Sequence, residues 1–174
     1  MPRSYPGALA LTRRILRALI VLNLVMGFLI LALLVASLVA PDLVMDALGV
    51  RRGGGEGSLI LGMRLIMVLG IAAVPLTHLV LRRLLNVVDT VREGDPFVAE
   101  NAVRLRAIAW AVLGLELMHL AVGAVAAAAS SAAQPLDIGW SFTFTRGVAV
   151  LLLFVLARVF EHGTAMREDL EGTV

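Results

Sequence analysis

The sequence predicts an all-α integral membrane protein, a four-helix bundle whose second and third spans are joined by a cytoplasmic helical hairpin. The 174 residues are 60% hydrophobic and only 16% charged, and the mean hydropathy is +0.94. A soluble domain needs more charge than this on its surface. Four apolar runs reach the roughly 20 residues that cross a bilayer, and a charged segment with helical periodicity separates the middle two.

The four apolar runs define a single membrane domain, which we expect to occupy the whole of residues 1–174. They cover about residues 15–40, 59–81, 107–129 and 139–160. The first run follows Arg13 and Arg14, so a cleaved signal peptide is the competing interpretation. Its best small-residue site is followed by Pro41, which disfavours cleavage. We therefore predict that the first run is an uncleaved span.

The charged segment 82–106, here called the hairpin, has the residues of a helix–turn–helix connection. Gly94 can end the first arm in the left-handed conformation that glycine tolerates. Asp95 can then cap the second arm, with Pro96 at the first helical position, where a missing N–H costs nothing. Both arms repeat apolar residues at helical spacing, so each is predicted to be an amphipathic helix.

Both arms are predicted to continue the neighbouring spans without a break. A continuous helix from Leu59 to Glu93 would be about 50 Å long, whereas the hydrocarbon core is only about 30 Å thick. The helix should therefore project beyond the membrane, with a kink at Pro75. In the second arm, Glu100 precedes Arg104 by four residues, a spacing that predicts an ion pair along the helix.

Two other stretches carry local signals. The connection 41–58 contains RRGGGEG, which indicates a mobile linker. In the third span, small residues recur at intervals of four, at Gly123, Ala127 and Ser131. This spacing lets a neighbouring helix approach closely.

Arginine placement predicts the orientation in the membrane. All 15 basic residues are arginine. Eleven of them lie in the N-terminal segment, the hairpin and the C-terminal end, whereas the other two connections hold only Arg51 and Arg52. Positively charged segments stay on the cytoplasmic side. We therefore expect a multi-pass protein of the cytoplasmic (inner) membrane with the hairpin and both termini in the cytoplasm.

Glu116 and His119 are the first candidates for chemistry inside the membrane, where polar groups are costly to bury. They stand three residues apart on one face of the third span. Carboxylate-bridged di-metal bundles use this Glu-x-x-His spacing, but they need further carboxylates from partner helices. We therefore predict no metal, and expect a Glu–His hydrogen bond or a protonated Glu116 bonded to a neighbouring helix. A proton-coupled role is the alternative.

Arg64 and Arg146 are the other intramembrane candidates. Both enter their spans close to the outer surface, where their side chains can extend back to water without any functional role. If both face inward, they would instead form a positive pocket suited to an anionic lipid headgroup or a small anion. Both interpretations stay open at this point.

The chain lacks the signatures of an enzyme. There is no cysteine, so neither a thiolate nucleophile nor an iron–sulfur site can form. No Ser–His–Asp arrangement, HExxH motif or phosphate-binding loop occurs. We therefore expect a non-enzymatic protein without a cofactor, and no direct contact with nucleic acid, because most arginines flank apolar runs.

Two motifs carry a family resemblance. GDPFVAENAVRLRAIAW at residues 94–110 and FEHGTAMREDLEGTV at residues 160–174 resemble a bacterial family of small membrane proteins, the domain of unknown function 2975. The resemblance covers most of the chain from the second span onward and implies four spans and an acidic tail at residues 161–174. Such proteins are often encoded beside a small helix-turn-helix regulator of the Cro/XRE type, which implies a regulatory pairing.

The resemblance leads to the hypothesis of a membrane regulator that binds or sequesters a soluble helix-turn-helix protein. Phe97 would anchor the partner at the hairpin tip, and an acidic strip would occupy its basic surface. The expected contact residues are Asp95, Pro96, Phe97, Glu100 and Arg104 of the hairpin and Glu168, Asp169 and Glu171 of the tail. The competing interpretation is internal: the tail neutralises the hairpin arginines, and Phe97 makes its hydrophobic contact within the chain.

Two further functions remain open. One is a small transporter or a lipid- or anion-binding protein that uses the four intramembrane residues Arg64, Glu116, His119 and Arg146. The other is an auxiliary subunit of a larger membrane complex, which would use the small residues of the third span as its contact face.

Overall fold

The described part of the protein is helical throughout its regular structure. The computed structural model describes residues 6–47, 56–130 and 144–171. Within these ranges the helices are α1 (Pro6–Val39), α2 (Pro41–Ala47), α3 (Glu56–Arg92), α4 (Ala99–Ala129) and α5 (Phe144–Glu171). All of them except α2 are long and apolar enough to cross a membrane. The prediction of an all-α protein with four such helices is confirmed.

The long helices pack as an open row in the order α1, α3, α4, α5. Each of these helices packs against the next one in the row. Within the described ranges, α1 does not approach α4 or α5, and α3 does not approach α5. The predicted four-helix bundle is corrected in this respect, because a closed bundle would bring its first and last helices together. The outer faces of α1 and α5 expose apolar side chains such as Phe28 and Leu151, which lipid can solvate.

The contact between α1 and α3 combines a close approach with polar bonds. Gly27 faces Val74 so closely that a Cβ there would lie 2.8 Å from a Val74 methyl group. Beside it, Asn23 Nδ2 donates a hydrogen bond of 3.1 Å to the Val74 carbonyl. This bond lies next to Pro75, which interrupts the backbone ladder of α3 but leaves the helix continuous.

The contact between α3 and α4 is made by small residues. Gly62 lies directly against Ala129, and Gly114 lies against Leu76. The predicted stripe of small residues is thus only partly correct: Gly123 is buried but Ala127 is exposed, and Ser131 is outside the described residues. The close approach comes from Gly62 on the partner helix, which the spacing within one span does not reveal.

The hairpin end of the row holds a hydrophobic core between α4 and α5, to which α3 contributes Val80 and Leu84. Leu105, Ile108 and Ala157 are buried there, with Phe160 packed against them. Without such contacts, the ends of two helices projecting from a bilayer would fray. The packing therefore positions α5 against the base of the hairpin.

Helix lengths agree with a projection beyond the membrane. α3 contains 37 residues, which corresponds to about 55 Å at 1.5 Å per residue. The predicted continuity of the second span with the first arm is confirmed. Within the connection predicted as a linker, Pro41–Ala47 forms α2, while residues 48–55 lie outside the described part of the chain.

We predict that Gly62→Ala weakens the packing of α3 on α4. The added methyl group would collide with Ala129, and such overpacking typically costs about 1–3 kcal/mol. Gly57→Ala is the matched control, because a Cβ at Gly57 has nothing within 4 Å. Thermal unfolding in detergent should show a lower midpoint for the first variant alone. Equal midpoints would contradict the close contact.

Candidate functional site

The hairpin turn is closed by backbone bonds around a left-handed glycine. Gly94 has φ of +89°, and its N–H donates to the Val91 carbonyl at 3.2 Å. The next N–H, that of Asp95, donates to the Thr90 carbonyl at 3.1 Å. Together these bonds form a Schellman motif, which satisfies carbonyls at the end of α3. The predicted role of Gly94 is confirmed.

The predicted start of the second arm is wrong. Residues 95–98 are not helical, and α4 begins at Ala99. The residue before it, Val98, is extended and makes no side-chain capping bond. Asp95 is therefore not the cap of α4, and Pro96 is not its first residue. Asp95 nevertheless has an interaction partner in the structure.

Asn101 takes the place of the expected cap. Its side chain is fully buried, and Nδ2 donates to Thr90 Oγ1 at 2.8 Å and to the Pro96 carbonyl at 2.9 Å. Its Oδ1 accepts a hydrogen bond of 2.7 Å from Arg104 Nη1. One amide thus joins the end of α3, the turn and the first turns of α4.

Arg104 is held by Asn101 and forms no ion pair with Glu100 within the described residues. The predicted pair along the helix is therefore corrected. The physical reason is competition: a buried amide oxygen needs a donor, whereas an exposed ion pair four residues apart contributes only about 0.3–0.5 kcal/mol.

Sequence reasoning included Asn101 in a motif but did not identify its role. The available signal was its register, because it lies four residues before Leu105 and seven before Ile108, which share the buried face. A polar side chain on a buried face must find hydrogen-bond partners. The register therefore indicated a structural bond, although not the identity of its partners.

The C-terminal helix docks on the hairpin through an aromatic pair and an ion pair. The rings of Phe97 and Phe160 stack with centroids 5.5 Å apart and planes at 28°. Arg106 Nη2 lies 2.8 Å from Glu161 Oε1, and Arg158 binds the other oxygen of Glu161 at 3.2 Å. These contacts agree with the interpretation that Phe97 and one carboxylate of the tail, Glu161, make their contacts within the chain. Even so, Phe97 remains 47% exposed.

The first arm is also tied to α1. Arg13 Nε lies 3.1 Å from Asp89 Oδ1, and Arg92 lies 3.9 Å from the same oxygen. Because both side chains of the Arg13–Asp89 pair are about one-third exposed, the pair contributes at most about 1 kcal/mol. It orients the N-terminal part of α1 along the hairpin.

Arg64 is engaged by the C-terminal end of α1. Its Nε donates to Ser37 Oγ at 3.2 Å, and Nη2 donates to the Ser37 carbonyl. The carbonyl end of a helix carries partial negative charge, so it stabilises a guanidinium there. Ser37 is fully buried, which means that Arg64 points toward α1 and caps it.

Glu116 and His119 lie further along α4 and are not brought to Arg64. Gly62 lies beside Ala129, so Arg64 and His119 are separated by about 12 Å along the antiparallel helices. Glu116 has an interaction partner. His119 Nε2 is buried and has no hydrogen-bond partner within the described residues, so this nitrogen does not make the predicted bond to Glu116.

Four predicted site residues have side chains outside the described residues, although their backbone lies in α5. They are Arg146, Glu168, Asp169 and Glu171. The proposed outer pocket of Arg64 with Arg146 and the acidic strip of the tail therefore stay predictions. Among the described residues, no group of three or more histidine and acidic side chains could hold a metal ion.

A family model of a protein of unknown function, DUF2975, matches residues 35–174. The chain belongs to the DUF2975 family. The matched region contains the hairpin, α4 and α5, and it leaves out most of α1. This agrees with the resemblance carried by the turn and tail motifs. No curated protein and no solved structure was found to match the chain.

We predict that Asn101→Leu loosens the hairpin. The variant fills the same space but removes the bonds of Asn101 to the Thr90 hydroxyl, the Pro96 carbonyl and Arg104. A buried group left unsatisfied costs about 1–3 kcal/mol. Amide hydrogen exchange at residues 93–98 should accelerate several-fold.

The matched control for this prediction is Asn86→Leu, because Asn86 is exposed on the first arm. Exchange at the turn should be unchanged in that variant. If both variants exchange alike, the Asn101 bonds do not hold the turn.

Proposed function

We propose that this protein is a non-enzymatic membrane regulator that binds or sequesters a soluble helix-turn-helix transcription regulator. The observation that carries the proposal is a braced helical hairpin that extends two spans and exposes apolar side chains in its turn and on its second arm. Phe97 is 47% exposed and Val103 is 60% exposed. Exposed apolar residues on a rigid support are typical anchors for a protein partner.

The proposed orientation places the hairpin and both termini in the cytoplasm of a bacterium. The arginine distribution supports it, since eleven of the 15 arginines flank the corresponding ends of the spans. Trp110, which is exposed on α4 near the hairpin end, fits a membrane–water interface at this level. A soluble regulator would reach the hairpin only from this side.

The proposed contact surface combines the tip with the acidic tail. Phe97 presents the half of its side chain that Phe160 leaves uncovered. Asp95, Pro96, Glu100 and Arg104 surround it in sequence, and Glu168, Asp169 and Glu171 would follow on α5. Acidic side chains complement the basic surface with which a helix-turn-helix protein binds DNA. Binding there would exclude DNA.

The internal contacts are compatible with this proposal. Phe160 and the pair of Arg106 with Glu161 hold α5 beside the hairpin. They would keep the tail carboxylates close to the tip before any partner arrives. A preorganised surface loses less entropy on binding than two separate segments.

A membrane-embedded function is the second candidate. The observation that favours it is His119, whose Nε2 is buried without a hydrogen-bond partner in the described ranges. An unpaired imidazole nitrogen one turn from Glu116 could take part in proton-coupled transport. Arg64 gives weaker support to an anion-binding site than His119 gives to proton-coupled transport, because the guanidinium of Arg64 already donates to Ser37.

The Glu116→Gln variant combined with His119→Ala separates the two candidates. We expect this double variant to bind the soluble regulator with unchanged affinity, because both residues lie deep in α4 and far from the tip. Loss of cellular function with regulator binding intact would favour the membrane site. Co-purification of a membrane protein alone would favour the auxiliary-subunit interpretation.

The direct test measures binding of a purified Cro/XRE-type regulator from the same genome to the intact protein in mild detergent. Val103→Asp should weaken binding about tenfold or more, since a charge placed in an interface core costs at least about 1.4 kcal/mol. Truncation after Ala165, which removes the acidic strip, should also weaken it.

Leu11→Asp is the matched control for this test. Leu11 is 59% exposed, like Val103, but it lies on α1, which does not pack against α4 within the described residues. The Leu11→Asp variant should bind the regulator with the same affinity as the wild type. Binding that ignores Val103→Asp and the truncation would exclude this surface.

A further inference from the structure

An open groove of about 370 Å³ runs between the two arms of the hairpin. One side is formed by Arg83 on α3, and the other by the first turns of α4. The residues that line it are Arg83, Ala99, Glu100, Val103 and Arg104. Two guanidinium groups, one carboxylate and an apolar surface thus meet in one concave site.

The groove lies at the level of the bilayer surface nearest the hairpin. Arg83 is two residues beyond the apolar run that ends at Leu81, and Arg104 is three residues before the run that begins at Ala107. Because α3 and α4 are antiparallel, both arginines flank the same membrane surface. Trp110 is 60% exposed one to two turns deeper on α4, which is the position that interfacial tryptophans prefer.

The two arginines have donors to offer a ligand. Arg83 makes no hydrogen bond or ion pair with any side chain that the structure describes. Arg104 uses Nη1 to bind Asn101 Oδ1, which orients its guanidinium and leaves its other N–H groups. Planar guanidinium groups bind phosphate oxygens through paired hydrogen bonds. A site of two arginines from two helices is therefore suited to a phosphate group.

The remaining lining residues favour one class of phosphate. Glu100 forms no ion pair within the described ranges, so its carboxylate can accept hydrogen bonds from hydroxyl groups. It also repels a second negative charge, which disfavours dianionic phosphates. Ala99 and Val103 provide apolar contact for the carbon atoms of a headgroup.

We propose that this groove binds an anionic phospholipid with a hydroxylated headgroup, of the phosphatidylglycerol type. The phosphate lies between Arg83 and Arg104, the headgroup hydroxyls bind Glu100, and the acyl chains follow the apolar surface of the spans. The lipid would fix the depth and tilt of the hairpin at the membrane. This proposal does not rest on the binding of a regulator.

The test uses the purified full chain in a neutral detergent, titrated with dihexanoyl phosphatidylglycerol, dihexanoyl phosphatidylcholine or inorganic phosphate. The readout is the dissociation constant of each probe. We expect the wild type to prefer phosphatidylglycerol over both other probes. Equal binding of the two lipids, or phosphate binding as tight as that of phosphatidylglycerol, would overturn the proposal.

Arg83→Gln is the decisive variant, and Arg82→Gln is its control. The two residues are neighbours and lose the same charge, but only Arg83 lines the groove. An arginine near an anionic lipid contributes about fivefold in affinity, so Arg83→Gln should lose about that factor while Arg82→Gln stays near the wild type. Equal losses would indicate unspecific attraction and overturn the site.

Arg83→Lys provides a second check on folding. It keeps the charge, so it should bind phosphatidylglycerol more tightly than Arg83→Gln, and both variants should unfold at the temperature of the wild type without lipid. If Arg83→Gln unfolds at a lower temperature than the wild type, the test compares the affinities of Arg83→Lys and Arg82→Gln for phosphatidylglycerol instead. Tight binding by Arg82→Gln and weaker binding by Arg83→Lys would support paired hydrogen bonds from Arg83, and the reverse order would overturn the site.

Discussion

The buried amide of Asn101 is the interaction on which the hairpin depends. Among the described elements, α5 reaches the connection between α3 and α4 through the ring of Phe160 on Phe97, and Asn101 ties this connection to both arms from within the hairpin. Asn101 does this because a buried amide needs both its donors and its acceptor satisfied. Its partners lie on the end of α3, in the turn and on α4. Because the hydrogen-bonding groups of this one side chain are satisfied by three segments, these segments are fixed relative to one another.

The open row has a second consequence, because among the described long helices α1 packs only against α3 and α5 packs only against α4. Apolar surface alone gives little preference for a neighbouring helix over lipid, so close approach and polar bonds must specify the contact. The α1–α3 contact contains both, at Gly27 and at Asn23. Arg64 adds a third specific contact, because its guanidinium donates to the hydroxyl and the carbonyl of Ser37 near the end of α1. The intramembrane arginine thus has a structural explanation that needs no ligand.

The sequence was sufficient for whatever depends on local pattern and length. Apolar runs predicted the four long helices, and Gly94 was predictable because few other residues adopt positive φ. The prediction that Asp95 caps α4 was wrong, because local sequence preference does not include the bonds that Asn101 makes from α4 to the end of α3 and to the turn. The open row was also not predictable, since uniformly apolar helices carry little rotational information. Asn101 and Gly62 became informative only once their partners on another helix were known.

The two proposals meet at Glu100, Val103 and Arg104, which belong to both the groove and the proposed partner surface. A regulator that covered these residues would displace the lipid, or would have to bind beside it. Linkage makes the effect reciprocal, so a lipid that weakens regulator binding is itself weakened to the same degree by the regulator. Since Arg104 is also bound to Asn101, either ligand would act on the same amide that holds the turn. The hairpin would then couple the lipid composition of the membrane to the amount of regulator held there.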